Sequence, residues 1–411
     1  MAAHRVSVPL AVAVTVVAAG VATLALRPRN GLIEPSAVDA TAYFSPEELD
    51  RARDYRGPQR ILAFAGLGAT GLALALVALR PPRRLRRVLE RAGARPLLGG
   101  AAAGAGLSLV LAVVVLPLEA VAHERSVDVG LSTQGWGEWA GDQAKATGIA
   151  AAFAAGGGAL ALGLARRFPR NWWAPGGAAV VAVSAGFVFL SPVVLEPLFN
   201  KFEPLPRGPL RAEVLELAGR SDVDVGEVYR VDASRRTTGA NAYVGGLGGT
   251  KRVVLYDNLI EDFAPDQVRA VVAHELSHVK NRDLPRGLLW LAIVALPGAL
   301  LIQHLTEAIG RRLGAEPGTP AMLPGLALSV AVVAFPLGLA GNALSRDVEN
   351  RADAYALDLT RDAAAQIELE RRLTVQNVSD PDPPELLHTL FGTHPTTLER
   401  IGSARTWARQ H

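Results

Sequence analysis

The sequence predicts a mainly α-helical, polytopic membrane protein of about seven transmembrane helices, with one α+β segment outside the bilayer. Three observations predict this. Half of the 411 residues are hydrophobic and a fifth are charged, with a positive mean hydropathy, which is apolar for a soluble chain of this length. The apolar residues fall into uncharged runs separated by arginine-rich links. One long interval, 196–283, breaks that pattern and alternates helix and strand signals.

The first run, 6–26, is uncharged, too long for a signal peptide and without a clear small-residue cleavage site, so it reads as a first crossing. A polar link follows. Within it, Ser45-Pro46-Glu47-Glu48 is a helix start, with Ser45 as N-cap, Pro46 in the first turn and Glu48 completing a capping box. Residues 61–79 form a second run, rich in Gly and Ala as packed membrane helices are. Residues 80–95 hold seven arginines and one glutamate, a basic segment beside the membrane. The third, fourth and fifth runs are 96–118, 146–165 and 171–195. A polar connector at 119–145 carries Trp136 and Trp139 as expected interfacial anchors. The sixth and seventh runs are 287–304 and 317–345, and the part from 346 to 411 is polar. The expected organisation is therefore 1–195 with five crossings, 196–283 as the α+β insert, 284–345 with two crossings and 346–411 as a C-terminal part.

In the insert, 209–219 has a helical stripe of Leu210, Val214, Leu215 and Leu217. Residues 228–231, 240–244 and 252–256 read as strands, with a glycine turn at 245–249. That turn lacks the Lys-Ser/Thr ending of a phosphate loop and opens no helix.

Composition also excludes chemistry. There is no cysteine, so disulfides, thiolate metal sites and cysteine nucleophiles are ruled out. The arginines cluster beside apolar runs, which assigns them to loops at a membrane surface rather than to nucleic acid. Most runs carry no charge within them, which speaks against an ion-coupled transporter.

The segment with chemistry is His274-Glu275-Leu276-Ser277-His278. Pro265 and Asp266 start its helix, and Val268, Val271, Val272, Leu276 and Val279 recur at helical spacing. His274 and His278 are four apart and share a face, so two neutral imidazoles can hold two corners of a Zn2+ ion. Glu275 then lies where it can take a proton from water at the metal. A chance match on a packed helix would leave two imidazoles and a carboxylate costly to bury. An intact Glu275 speaks against a non-catalytic zinc scaffold. A third ligand is needed. Glu349 can supply it, and Asp353, four residues on, can accept a hydrogen bond from the far nitrogen of a ligating histidine. The competing reading of that stretch is a solvated helix end, with Arg346 and Arg351 pairing to Asp347 and Glu349. On spacing alone His304, His388 and His394 are ordinary surface residues.

Several stretches follow in order: Glu196-Pro197-Leu198-Phe199-Asn200-Lys201-Phe202, Asp232-Ala233-Ser234-Arg235-Arg236 with Asn241-Ala242-Tyr243, Val254-Leu255-Tyr256-Asp257, the H-E-x-x-H, Ser345-Arg346-x-x-Glu349-x-x-Ala352-Asp353, and His394-Pro395 with Arg400-Ile401. Together they resemble the Ste24-type CAAX prenyl proteases of the M48 family of membrane zinc metallopeptidases. The likeness spans roughly 192–402 in order. It implies one Zn2+ on His274, His278 and Glu349, with Glu275 as general base. It implies that Asn241 lies on the strand that holds the substrate backbone and that His394 helps stabilise the oxyanion. The implied fold is seven transmembrane helices around a chamber, closed at one end by an α+β zincin-like metallopeptidase domain. The implied partners are a peptide or protein substrate, with or without a lipid, and the lipid bilayer. The same resemblance places the site on the cytosolic side, whereas arginine counts in the short loops place it outside. A general membrane quality-control peptidase is the other enzymatic reading.

Overall fold

The structure, a computed structural model, describes residues 7–246 and 251–411. The start of the first run at Val6 and Leu247–Gly249 of the expected turn lie outside the described residues.

Among the described residues, seven helices are long and apolar enough to cross a membrane. They are α1 (Val8–Leu26), α2 (Pro46–Leu79), α4 (Pro96–Asp128), α5 (Trp136–Arg167), α6 (Trp173–Leu190), α10 (Asp283–Leu313) and α11 (Leu323–Thr360); α3 (Arg83–Ala92) is a short helix between α2 and α4. These helices turn large apolar side chains outward. Ile61 is 69%, Val113 68% and Val16 65% exposed, the reverse of a water-facing surface and suited to hydrocarbon.

Several helices outlast their apolar runs. The capping box at Ser45 is formed: Ser45 Oγ accepts from Glu48 N–H at 3.2 Å, and Glu48 Oε2 accepts from Ser45 N–H at 2.9 Å. The helix so started continues through Pro58 into the second run without a break. The expected connector at 119–145 is a correction: α4 reaches Asp128 and α5 begins at Trp136, leaving only a short link. Polar residues do not end a helix whose side chains find partners outside the bilayer, and Arg125 donates to the Asp54 carbonyl at 2.7 Å. Trp136 packs edge-on to Trp139 and to His123, and Trp139 stacks on His123. α6 ends in a π-helical turn at Ser191–Leu195.

The α+β part comprises β1 (Phe202–Pro204), α7 (Pro209–Arg220), β2 (Glu227–Val231), β3 (Ala242–Gly245), β4 (Arg252–Tyr256), α8 (Asp257–Asp262) and α9 (Pro265–Lys280). The sheet order is β1-β2-β4-β3, with β2 and β4 parallel and the outer pairs antiparallel. β1 is too short to carry a sequence signal. Alternation puts Val228, Val253 and Leu255 on the face covered by α7 and α9. There they meet Val214, Leu217, Val268, Val272 and Leu276, each buried. Each such side chain contributes roughly 1.5–3 kcal/mol, and together they fix α9 against the sheet. After α11 come α12 (Ala363–Gln376), α13 (Glu385–Phe391) and α14 (Thr397–Gln410), packed on α9, α11 and one another.

Candidate metal centre

α9 begins as its sequence requires, with Pro265 in the first turn and the Gln267 side chain accepting from Ala264 N–H at 3.2 Å. Its Val268-Val272-Leu276 stripe is buried on the sheet, which turns His274 and His278 away from it, towards α11. Glu349 and Asp353, one turn apart on α11, meet them there.

Three donor atoms converge. His274 Nε2 lies 3.3 Å from His278 Nε2 and 3.1 Å from Glu349 Oε2. His278 Nε2 is 3.8 Å from Glu349 Oε1. His274, His278 and Glu349 thereby form a group that can hold a metal ion. A tetrahedral zinc with ligands at about 2.0–2.1 Å separates them by roughly 3.3 Å, so the spacing and the N,N,O donor set fit zinc. Imidazole lone pairs facing each other at this distance need a shared positive charge.

The far ring nitrogens are both held by carboxylates. His274 Nδ1 is 2.9 Å from Asp353 Oδ1, and His278 Nδ1 is 3.1 Å from Asp283 Oδ2. With each Nδ1–H donating to its carboxylate, each Nε2 presents a lone pair to the centre. The carboxylates are themselves fixed. Arg400 donates to both oxygens of Asp353, through Nε at 2.8 Å and Nη2 at 2.5 Å, and Arg351 donates to Asp283. Arg400 Nη1 also meets Glu370 Oε2 at 2.8 Å, and burial pushes the Glu370 carboxyl up to about 7.

The centre favours a positive charge. Burial lowers the pKa of His274, but hydrogen bonds to Asp353 and Glu349 more than reverse this and push it up to about 10. Burial also raises the pKa of Glu275, with the two neighbouring imidazoles offsetting part of the rise. His394 stands at the open side, its Nε2 3.5 Å from Glu349 Oε2 and its Nδ1 2.8 Å from Thr393 Oγ1.

The structure thus brings His274, His278, Glu349, Asp353 and His394 together, with Glu275 on the same helix. Asn241 is placed apart. It is exposed just ahead of β3, and its carbonyl accepts from Tyr256 N–H at 3.1 Å. No hydrogen bond among the described residues joins it to the centre. β3 is the sheet's outer strand and packs beside α9. Asp283 and Arg400 are supporting groups that spacing did not reveal. Asp283, five residues beyond His278, has no ligand spacing of its own, and Arg400 lies in a stretch that only the resemblance singles out.

A polytopic helical fold with a His–His–Glu centre between an edge-strand sheet and a membrane-derived helix defines a membrane-embedded metallopeptidase type. Comparison with known proteins agrees. Residues 204–408 match peptidase family M48, and residues 35–201 match the CAAX prenyl protease N-terminal family of five membrane helices. The chain is 30% identical over 378 residues to "Uncharacterized metalloprotease YhfN" of Bacillus subtilis (strain 168), covering 90% of this chain and 89% of that one. It is 33% identical over 217 residues to "CAAX prenyl protease 1 homolog" of Arabidopsis thaliana, which spans about half of each, 51% and 50%. The fold is similar to the crystal structure of S. mikatae Ste24p, with a TM-score of 0.74 at 22% identity, covering 96% of this chain and 97% of that one. The chain belongs to peptidase family M48.

Proposed function

We propose that this protein is a membrane zinc endopeptidase that hydrolyses peptide bonds at the His274–His278–Glu349 centre. The observation that carries the reading is the convergence of two Nε2 atoms and a carboxylate, each imidazole backed by its own aspartate. Zinc bound there would supply Lewis acidity, acidifying a water and polarising a scissile carbonyl. Glu275, beside it with a raised pKa, takes the proton of the attacking water on its carboxylate and returns it to the leaving amine. With the Thr393 hydroxyl as donor to His394 Nδ1, the ring proton sits on Nε2 and is donated to the developing oxyanion. Asp353 and Asp283 hold the imidazole tautomers throughout. The free edge of β3, entered through Asn241, pairs with the extended substrate backbone.

The substrate class we favour is a lipid-modified C-terminal peptide of the CAAX type. This is supported by the match of residues 35–201 to the CAAX prenyl protease N-terminal family and by plant and yeast relatives bearing that name. A second reading is broad cleavage of membrane-associated chains in quality control. The Bacillus relative, which shares nearly its whole length with this chain, is named only as a metalloprotease and not by the CAAX substrate. Matched prenylated and plain peptides, offered to detergent-purified protein with and without chelator and with Glu275→Gln as control, separate the two. Chelator-sensitive cleavage of the prenylated peptide alone supports the first, and equal cleavage supports the second. No cleavage of either by zinc-loaded protein would sink both.

A further inference from the structure

The metal centre leaves unexplained the strongest charge feature of the chain, the arginines of 80–95. The structure folds five of the seven into α3, joined to α2 and to α4 by three residues at each end. Both neighbours are candidate membrane spans, so α3 is confined by its connections to the level of the lipid headgroups. Its Leu85–Leu89–Ala92 face is turned to the protein, while Val88 at the margin is 59% exposed. Leu89 is buried, Leu85 and Ala92 are half-buried, and the helix packs on α4 and the Pro320–Met322 turn. The opposite face is a stripe of exposed guanidinium groups. Arg83, Arg87 and Arg91 follow at intervals of four, with Arg84 beside them. Among the described residues, none of these four has a carboxylate within 4.0 Å, whereas Arg86 is paired with Glu90 at 2.9 Å. A row of unpaired like charges on one short helix is unfavourable unless anions lie against it.

Beside the helix, between α3 and the turn joining α10 to α11, is a cavity of about 240 Å3. It lies on the Leu89 side of α3, lined by Val77, Leu89 and Leu313 with Arg86, Glu90 and Glu316, and none of the four unpaired arginines borders it. The two carboxylates in its wall disfavour an anion there, so the exposed row on the other face is the surface left for one. We propose that α3 is a binding surface for anionic phospholipid, with the phosphates on Arg83, Arg84, Arg87 and Arg91. Arg86 is taken by Glu90 and is not needed for the phosphates. Membrane lipid is the occupant that fits, because the helix is held at the bilayer surface from both ends and its phosphates are already there.

The test uses the full chain purified in neutral detergent and exchanged into mixed micelles containing phosphatidylglycerol or phosphatidylcholine. Native mass spectrometry counts the lipids that remain bound. At least fivefold more phosphatidylglycerol than phosphatidylcholine should be retained, and R83Q/R84Q/R87Q/R91Q should bring the ratio close to one. Zinc content and melting temperature, read on the same samples, report whether the variant is folded. Should it fail to fold, wild-type protein serves. Raising salt from about 0.1 M to about 1 M shortens the screening length from about 10 Å to about 3 Å and should remove the preference. Equal retention of the two lipids by wild type, or an unchanged preference in a folded variant, would overturn the proposal. So would a preference that survives high salt, or displacement of the lipid by millimolar glycerol 3-phosphate, which would mark a site for free phosphate esters.

Discussion

At the residue scale the centre separates binding from proton transfer. Glu349 contributes an oxygen to the converging set and Glu275 does not, although both are carboxylates near the same imidazoles. Glu275→Gln should therefore keep full zinc by metal analysis and lose about 10²–10⁴-fold in peptide turnover. Glu349→Ala should lose both metal and turnover, and full zinc in that variant would remove it from the ligand set. Asp283→Asn keeps the shape of the group that holds His278 Nδ1 but removes the charge. Its zinc affinity should fall about 10–100-fold, measured by competition with a chromophoric chelator. The same assay reads a pH dependence. With its pKa near 10, His274 holds a proton at neutral pH that zinc must displace. Apparent affinity should rise by up to about tenfold per pH unit between pH 7 and 8, as the proton becomes easier to remove. A flat profile would mean that His274 Nε2 carries no proton to displace, leaving only the Nδ1 proton shared with Asp353.

At the element scale, hydrophobic runs marked each crossing but not its ends, because a helix stops where its backbone loses partners rather than where its polarity changes. The connector read at 119–145 is mostly helix for this reason, with Gln59 donating to the Ala122 carbonyl at 3.0 Å outside the apolar stretch. How the spans pack was equally hidden, since glycine content alone does not say which glycines touch. α4 and α5 approach most closely where Gly100 faces Gly158 and where a side chain on Gly104 would run into the Ala154 carbonyl. Gly106, two residues on, faces open space. Gly104→Leu should therefore cost about 1–3 kcal/mol, seen as a lower melting temperature in detergent, while Gly106→Leu should be nearly neutral. Equal melting of the two variants would mean that the helix pair tolerates separation.

At the scale of the whole molecule, the ligand pair on α9 was legible because it lies within one turn of one helix. Its completion was legible only in part, because Glu349 follows two membrane spans and Asp283 and Arg400 act through contacts that no local pattern encodes. The strand beside the centre depends on the membrane helices in the same way. Leu131, in the α4–α5 link, accepts from Thr238 N–H at 3.0 Å, and Asn377 Oδ1 accepts from Ala240 N–H at 3.0 Å, both just ahead of Asn241 and β3. Asn377 is held in turn from α2, where Arg56 donates to the carbonyls of Asn377 at 2.6 Å and Val378 at 2.7 Å. A spanning helix thus sets the position of the edge proposed to bind substrate without touching the metal ligands. Arg56→Ala should raise KM several-fold and leave zinc stoichiometry unchanged, because it frees the strand and not the centre. A parallel loss of zinc would show that α2 supports the whole catalytic part. An unchanged KM would show that the α4–α5 link alone positions β3, and Thr237→Val, which removes the hydroxyl donating to the Leu131 carbonyl at 3.0 Å, would then carry the effect instead.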